Sequence, residues 1–200
     1  RTNKELENRR DCFLEISKIL DDLNIFYFIQ GGTLLGARRE KKFIEWDWDV
    51  EISLLYEDLN KNFDKIINEL IMRGFNITSC NKNRHNIKID CIKDYSEEVS
   101  SYTLLGWSYP PTENKYKRGQ LNIPEIFLKK YDKIIFYNKE FNTPYPIDEY
   151  LTYQYGNWKK RLRSSDKKKY MTKNYYKRNN FFLEILVVLF KKIYGVLLKK

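Results

Sequence analysis

At 200 residues and 42% hydrophobic side chains, the chain is long enough for one domain with a buried core, and it contains no low-complexity tract or internal repeat. Its three cysteines (Cys12, Cys80, Cys91) are isolated and His85 is its one histidine, which excludes a disulfide framework, a Cys/His zinc site and a histidine-based triad. The net charge of +10 is unevenly spread. Fourteen Lys/Arg after Trp158 stand against Asp166 and Glu184, a net of +12, so residues 1–157 carry −2 and offer no basic body for nucleic acid.

Residues 4–23 are predicted as an amphipathic helix that packs on a sheet, with Phe13, Ile16, Leu20 and Leu23 at helical spacing. No signal peptide opens the chain, and its start at Arg1 rather than Met leaves room for an upstream segment. Residues 25–30 (Ile25-Phe-Tyr-Phe-Ile29 and Gln30) form an apolar, aromatic run expected as a buried strand. Gly31-Gly32-Thr33 then turn into a short helix over 33–40, with Thr33 as N-cap and backbone N–H groups open to a phosphate. Arg38, Arg39, Lys41 and Lys42 follow, a run that is either a solvated loop or a source of phosphate clamps.

Asp47, Asp49 and Glu51 come next, alternating with Trp46, Trp48, Val50 and Ile52. In a strand this alternation puts the three carboxylates on one face, about 6.6 Å apart per two residues, and the apolar set toward the core. Like charges on one face repel unless a cation sits among them, and hard oxygens suit Mg²⁺ or Mn²⁺. A solvated acidic face is the plainer alternative. The glycine turn upstream tips the reading toward a metal-dependent phosphoryl-transfer site.

The stretch Gly31-Gly32-Thr33-Leu34-Leu35-Gly36-Ala37, with Arg39, Lys41, Phe43-Ile44 and Trp46-Asp47-x-Asp49-x-Glu51-Ile52, resembles the signature of the LicD/fukutin family. The departures are Glu40 where that family usually has His, Lys42 for Gly, Glu45 for Pro, Trp48 for the middle Asp and Glu51 for the last. Arg39 and Lys41 match the signature and are the favoured phosphate clamps. Trp48 is expected on the apolar face, where it leaves the metal site intact.

Residues 57–73 are expected as a helix with Leu59, Phe63, Ile66, Ile67 and Leu70 inward and Gly74 as its stop. Phe75–Ser79 and His85–Ile92 are candidate strands, the second with Ile87, Ile89 and Cys91 on one face and Asp90 on the other. The resemblance implies Asp90 as a further metal ligand or as the base that takes the acceptor's proton. Residues 94–124 are poorly patterned and are expected to carry substrate contacts or a lid. Lys133–Asn142 suits a hairpin turning at Asn138-Lys139, and Thr143-Pro-Tyr-Pro146 leads into a helix. Tyr150-Leu151, Tyr155-Gly156 and Trp158 form a second LicD-like block, so the resemblance covers residues 10–160.

Residues 159–180 are expected as a basic linker, loosely helical at most. Phe181–Lys200 is apolar but broken by Lys191-Lys192, too short to span a bilayer. Its polar residues gather in one strip, as in a helix lying on an anionic membrane, and docking onto the domain is the alternative.

The expected fold class is α+β, a nucleotidyltransferase-like mixed sheet with flanking helices over residues 1–158. The resemblance implies metal-dependent transfer of a phosphocholine or phospho-alditol group from a CDP-linked donor to a glycan hydroxyl. Asp47, Asp49, Glu51 and Asp90 would hold Mg²⁺ or Mn²⁺, Asp47, Asp49 and Asp90 would carry the catalysis, and Gly31, Gly32, Thr33, Arg39 and Lys41 would hold the donor. Two alternatives remain: transfer of a nucleoside monophosphate from an NTP, and a non-catalytic scaffold of the same fold. The expected setting is the cytoplasmic face of a bacterial membrane, or the Golgi lumen for a eukaryotic chain.

Overall fold

A computed structural model describes residues 2–93, 100–164 and 166–175. The expected helix at 181–200 lies outside them. Helix α1 (Asn3–Asp22) opens on a capping box, in which Thr2 accepts from the Glu5 N–H and Glu5 bonds back to the Thr2 N–H. Its buried stripe of Cys12, Phe13, Ile16 and Leu20 follows the predicted spacing. Phe13 meets Phe43, Phe136 and Phe141 at ring-centroid distances of 5.5, 6.0 and 4.9 Å, an aromatic centre that ties α1 to the second half of the chain.

The central sheet has four strands in the order β1 (Asp49–Leu55), β4 (Ser101–Trp107), β3 (Lys88–Ile92) and β2 (Asn76–Asn81). β1 runs parallel to β4 and the other pairs are antiparallel, so the sheet is mixed as expected. β4 is the strand that the sequence conceals. It falls in the unpatterned 94–124 stretch because its alternation is short: Ser101 and Thr103 alternate with buried Tyr102 and Leu104, and from Leu104 to Trp107 every residue is buried.

The expected strand at 25–30 does not join this sheet as a ladder. It is an extended segment with one antiparallel bridge, Phe28 to Ser53, while the Ile29 N–H donates to the Asn142 carbonyl at 2.9 Å. It thereby joins β1 to the hairpin of β7 (Tyr131–Phe136) and β8 (Lys139–Pro144). The hairpin turns at Tyr137-Asn138, one residue earlier than expected, with φ of +50° and +61° at the two positions. Two left-handed residues make the I′ turn that matches strand twist.

The predicted 57–73 helix is two, α3 (Tyr56–Lys61) and α4 (Phe63–Met72), broken at Asn62. Leu59, Phe63, Ile66 and Leu70 are buried as expected, and Gly74 leaves α4 at φ +79°. A small pair, β5 (Lys115–Arg118) and β6 (Leu121–Pro124), follows β4, and α5 (Ile147–Tyr155) follows β8.

Residues 159–175 are not an undocked linker. Short helix α6 (Lys167–Tyr170) precedes Tyr175, which is buried and donates its hydroxyl to Gln30 Oε1 at 3.2 Å. The Tyr175 carbonyl accepts from the Asn122 N–H at 3.0 Å, and the Thr172 N–H donates to the Gln154 carbonyl at 2.9 Å.

Candidate active site

The first turn of α2 (Gly31–Arg39) and the start of β1 form the floor of a cleft of about 1100 Å³. Gly31, at φ +64°, lets the chain pass from the extended segment straight into the helix, which therefore begins before Thr33. Both glycines stand where carboxylates press in. A Cβ on Gly31 would lie 3.0 Å from Glu51 Oε2, and one on Gly32 would collide with the Asp47 carboxylate. The anions facing this positive helix end are the protein's own.

Thr33 has another task than the expected N-cap. The Glu51 N–H donates to Thr33 Oγ1 at 3.3 Å, and the Thr33 hydroxyl donates to the Glu51 carbonyl at 3.3 Å. This exchange pins α2 to the acid-bearing strand.

Asp49 and Glu51 share one face of β1, with Val50 and Ile52 buried on the other. Asp47 and Trp48 precede the ladder. Released from strand alternation, Trp48 is 72% exposed at the cleft, against the expectation that it faces the core. The Asp47 and Asp49 carboxyls share a hydrogen bond, and burial, then the charge of Asp49, push Asp47 up to about 7. Beneath them Arg9, fully buried in α1, donates to the Asp47 carbonyl at 2.7 Å and to the Ser100 hydroxyl at 3.2 Å. The Trp48 N–H donates to Asp47 Oδ1 at 3.1 Å.

Asp90 is not brought to this pair. Register aligns Glu51, Thr103 and Asp90 in one row across β1, β4 and β3, so Asp90 shares the face of Glu51. It stands two strand spacings away, about 10 Å. Its carboxylate accepts from Thr103 Oγ1 at 2.8 Å and pairs with Lys88, and Asp90 is not part of the cleft lining. Among the described residues no three Asp, Glu, His or Cys side chains gather as a ready cation site. The expected set of four is thus a close pair, Asp47 and Asp49, with Glu51 turned toward Gly31. That pair suits a divalent cation by its chemistry: two hard carboxylates whose charges oppose one another lose that repulsion when a cation binds them.

The basic run divides as well. Arg39 lines the cleft, but its guanidinium is bound to Glu40 at 2.7 Å and to the Trp158 carbonyl at 3.1 Å. Lys41 is exposed, adopts φ +59° and does not line the cleft. Arg38 pairs with Asp148 at 2.8 Å on the outside.

Several residues of the site have little signal in the sequence. Buried Gln30 accepts from the hydroxyls of Tyr150 at 2.6 Å and Tyr175 at 3.2 Å. Gln154, Tyr155, Tyr170 and Tyr175 line the same cleft as the acids. Burial, followed by the charges of Asp47, Asp49 and Glu51, raises the Tyr170 hydroxyl to about 12. Arg9 falls in register with the apolar stripe of α1 at Cys12, Phe13 and Ile16, where its charge disguises it.

The profile of the LicD/FKTN/FKRP nucleotidyltransferase domain matches residues 24–146, more than half of the chain. The chain belongs to this family. LicD/FKTN/FKRP proteins are transferases that move phosphate-containing groups to glycans. An uncharacterized Rickettsia typhi protein is 29% identical over 151 residues, 72% of this chain and 44% of its own length. The ribitol 5-phosphate transferases FKRP of mouse and human are each 39% identical over 41 residues, 20% of this chain and 8% of theirs. The chain thus spans less than half the length of the curated relatives it matches. Among solved structures, the antibiotic-resistance factor ANT(2'')-Ia aligns over 70% of this chain and 66% of its own, at 10% identity and a TM-score of 0.48.

The geometry accounts for most of the departures from the LicD signature. Glu40, its side chain 3% exposed, receives Arg39 at 2.7 Å and Arg161 at 2.7 Å, tying the end of α2 to the segment after Trp158. Lys42 and Glu45, two departures three residues apart, pair with each other at 2.5 Å. Glu51 uses its longer side chain to reach Gly31.

Proposed function

We propose that this LicD/FKTN/FKRP chain transfers a phospho-group, phosphocholine or a phospho-alditol, from a CDP-activated donor to a hydroxyl of a cell-surface glycan, in a divalent-metal-dependent reaction. The observation that carries the reading is the Asp47–Asp49 pair, buttressed from below by Arg9 and set against the side-chain-free start of α2 in an open cleft. The FKRP relatives, ribitol 5-phosphate transferases by name, support the alditol version of the donor.

Asp47 and Asp49 would hold the Mg²⁺ or Mn²⁺, whose contribution is to neutralise charge on the donor's phosphates and on the departing CMP. Glu51, on the same face and next in line, is the carboxylate suited to accept the acceptor's proton, a role that the remote, ion-paired Asp90 does not fit. Arg9 keeps the Asp47 backbone in place, and Thr33 does the same for Glu51. The cytoplasmic face of a membrane, approached through the basic residues 181–200, is the setting we propose, because CDP-linked donors are made in the bacterial cytosol.

Release of CMP from CDP-ribitol, CDP-glycerol and CDP-choline, measured beside the four NTPs with Mg²⁺, tests the reading. The expected result is metal-dependent CMP release from one CDP-donor, abolished in Asp49→Ala, whose exposed site leaves the fold intact. Pyrophosphate release from an NTP would instead make the chain a nucleotidyltransferase. Absence of turnover with every donor and acceptor, together with no Mn²⁺ binding, would make it a scaffold.

A further inference from the structure

Basic side chains are distributed in two ways. Away from the cleft many are matched to acids: Arg38 with Asp148, Arg73 with Asp22, Lys82 with Asp64, Arg161 with Glu40. Within the cleft, Arg118, Lys160, Arg163 and Lys169 line the space, and none forms an ion pair among the described residues. Arg118 is the most telling. No hydrogen bond or ion pair holds its guanidinium among the described residues, and its buried Nε is left without a partner, so a ligand has no existing bond of Arg118 to break. The cleft is therefore lined both by acids, Asp47, Asp49 and Glu51, and by a set of bases without ion-pair partners, its basic wall.

The groups first expected to hold phosphate are otherwise engaged. The start of α2 faces carboxylates, Arg39 is bound to Glu40, and Lys41 lies off the cleft. We propose that Arg118, Arg163 and Lys169 hold the diphosphate of the donor, a polyanion laid between the basic wall and the acid pair. Arg118 offers a planar fork matched to phosphate oxygens, and Arg163 and Lys169, lining the same cleft, add charge. Two of the three residues come from the 159–175 segment, beyond the 24–146 region shared with the family profile. The assignment rests on the nucleoside-diphosphate donor proposed above.

Inorganic pyrophosphate titrated into the full chain in EDTA, followed by calorimetry, tests the wall without metal or turnover. Binding is expected, weakening as salt is raised. The double variant R163Q/K169Q, at two exposed positions where folding is not at stake, is expected to weaken it about tenfold or more, and R118Q by a similar factor. The charge-matched control K130Q/K133Q, on the remote β7 side, is expected to leave it unchanged. The proposal is overturned if the wild type does not bind pyrophosphate, if R163Q/K169Q binds as tightly as wild type, or if the control loses as much. The two readings fail separately. Wall-dependent binding in a chain that turns over no CDP-donor would leave the wall standing and remove the donor reading, whereas CMP release with wall-independent pyrophosphate binding would do the reverse.

Discussion

At the scale of single residues, the site depends on what is missing from two side chains. Gly32→Ala puts a methyl group into the Asp47 carboxylate, which must swing away from Asp49 or push α2 outward. Overpacking of this kind costs about 1–3 kcal/mol. Loss of stability in urea together with loss of Mn²⁺ binding is expected, and a variant that binds Mn²⁺ normally would separate Asp47 from the metal. Arg9 shows what a hydropathy pattern hides. It lies on the apolar stripe of α1, fully buried, because its guanidinium has backbone and hydroxyl oxygens to serve. The acid pair itself was legible in the sequence. Its partners were not, since Gln30, Gln154 and Tyr175 become site residues only by folding together from positions far apart.

Among the elements, those with a clean period were readable: α1, the buried face of α4, β3 and the β7–β8 hairpin. β4 was not, because its alternation lasts only from Ser101 to Leu104 before both faces are covered, and the segment at 25–30, strand-like in composition, found room for only one bridge. The hairpin turn slipped by one residue because aromatic Tyr137 does not announce a left-handed position. Asn138 does, and at φ +61° its replacement by Ala should cost about 1 kcal/mol, while Asn138→Gly should be close to neutral in urea unfolding. Cys91, in the sheet, contributes to alkaline stability alongside the buried tyrosines. Burial raises the Cys91 thiol from 9.0 to about 12 in the folded chain, whereas the unfolded chain ionises near the ordinary value. This contribution is therefore complete below pH 9 and lost as pH climbs toward 12, at up to about 1.4 kcal/mol per pH unit. Thermal midpoints taken from pH 8 upward should fall less steeply in Cys91→Val than in the wild type.

Across the whole molecule, the 159–175 segment is the element most at odds with its composition. Basic and polar, it has the character of a linker, yet Tyr175 is buried beside Trp107 at 6.5 Å between rings, and Glu40 receives Arg161. Packing, not composition, decides its state. Tyr175→Ala should cost about 3–5 kcal/mol, as for other large aromatic truncations, whereas Tyr175→Phe, which keeps the ring and loses the hydroxyl's bonding to Gln30 and Tyr150, should cost about 1 kcal/mol. If Tyr175→Ala unfolds at the wild-type urea concentration, the segment is a linker after all.

The bond from Tyr175 to Gln30 joins residues 145 positions apart, and it closes the site. During translation the acid pair, its glycine floor and the central sheet all leave the ribosome before the wall that faces them. A nascent chain halted before Arg163 would thus carry the carboxylates of the site and Arg118 without Arg163 and Lys169, and the cleft matures only when the late segment folds back over the earliest part.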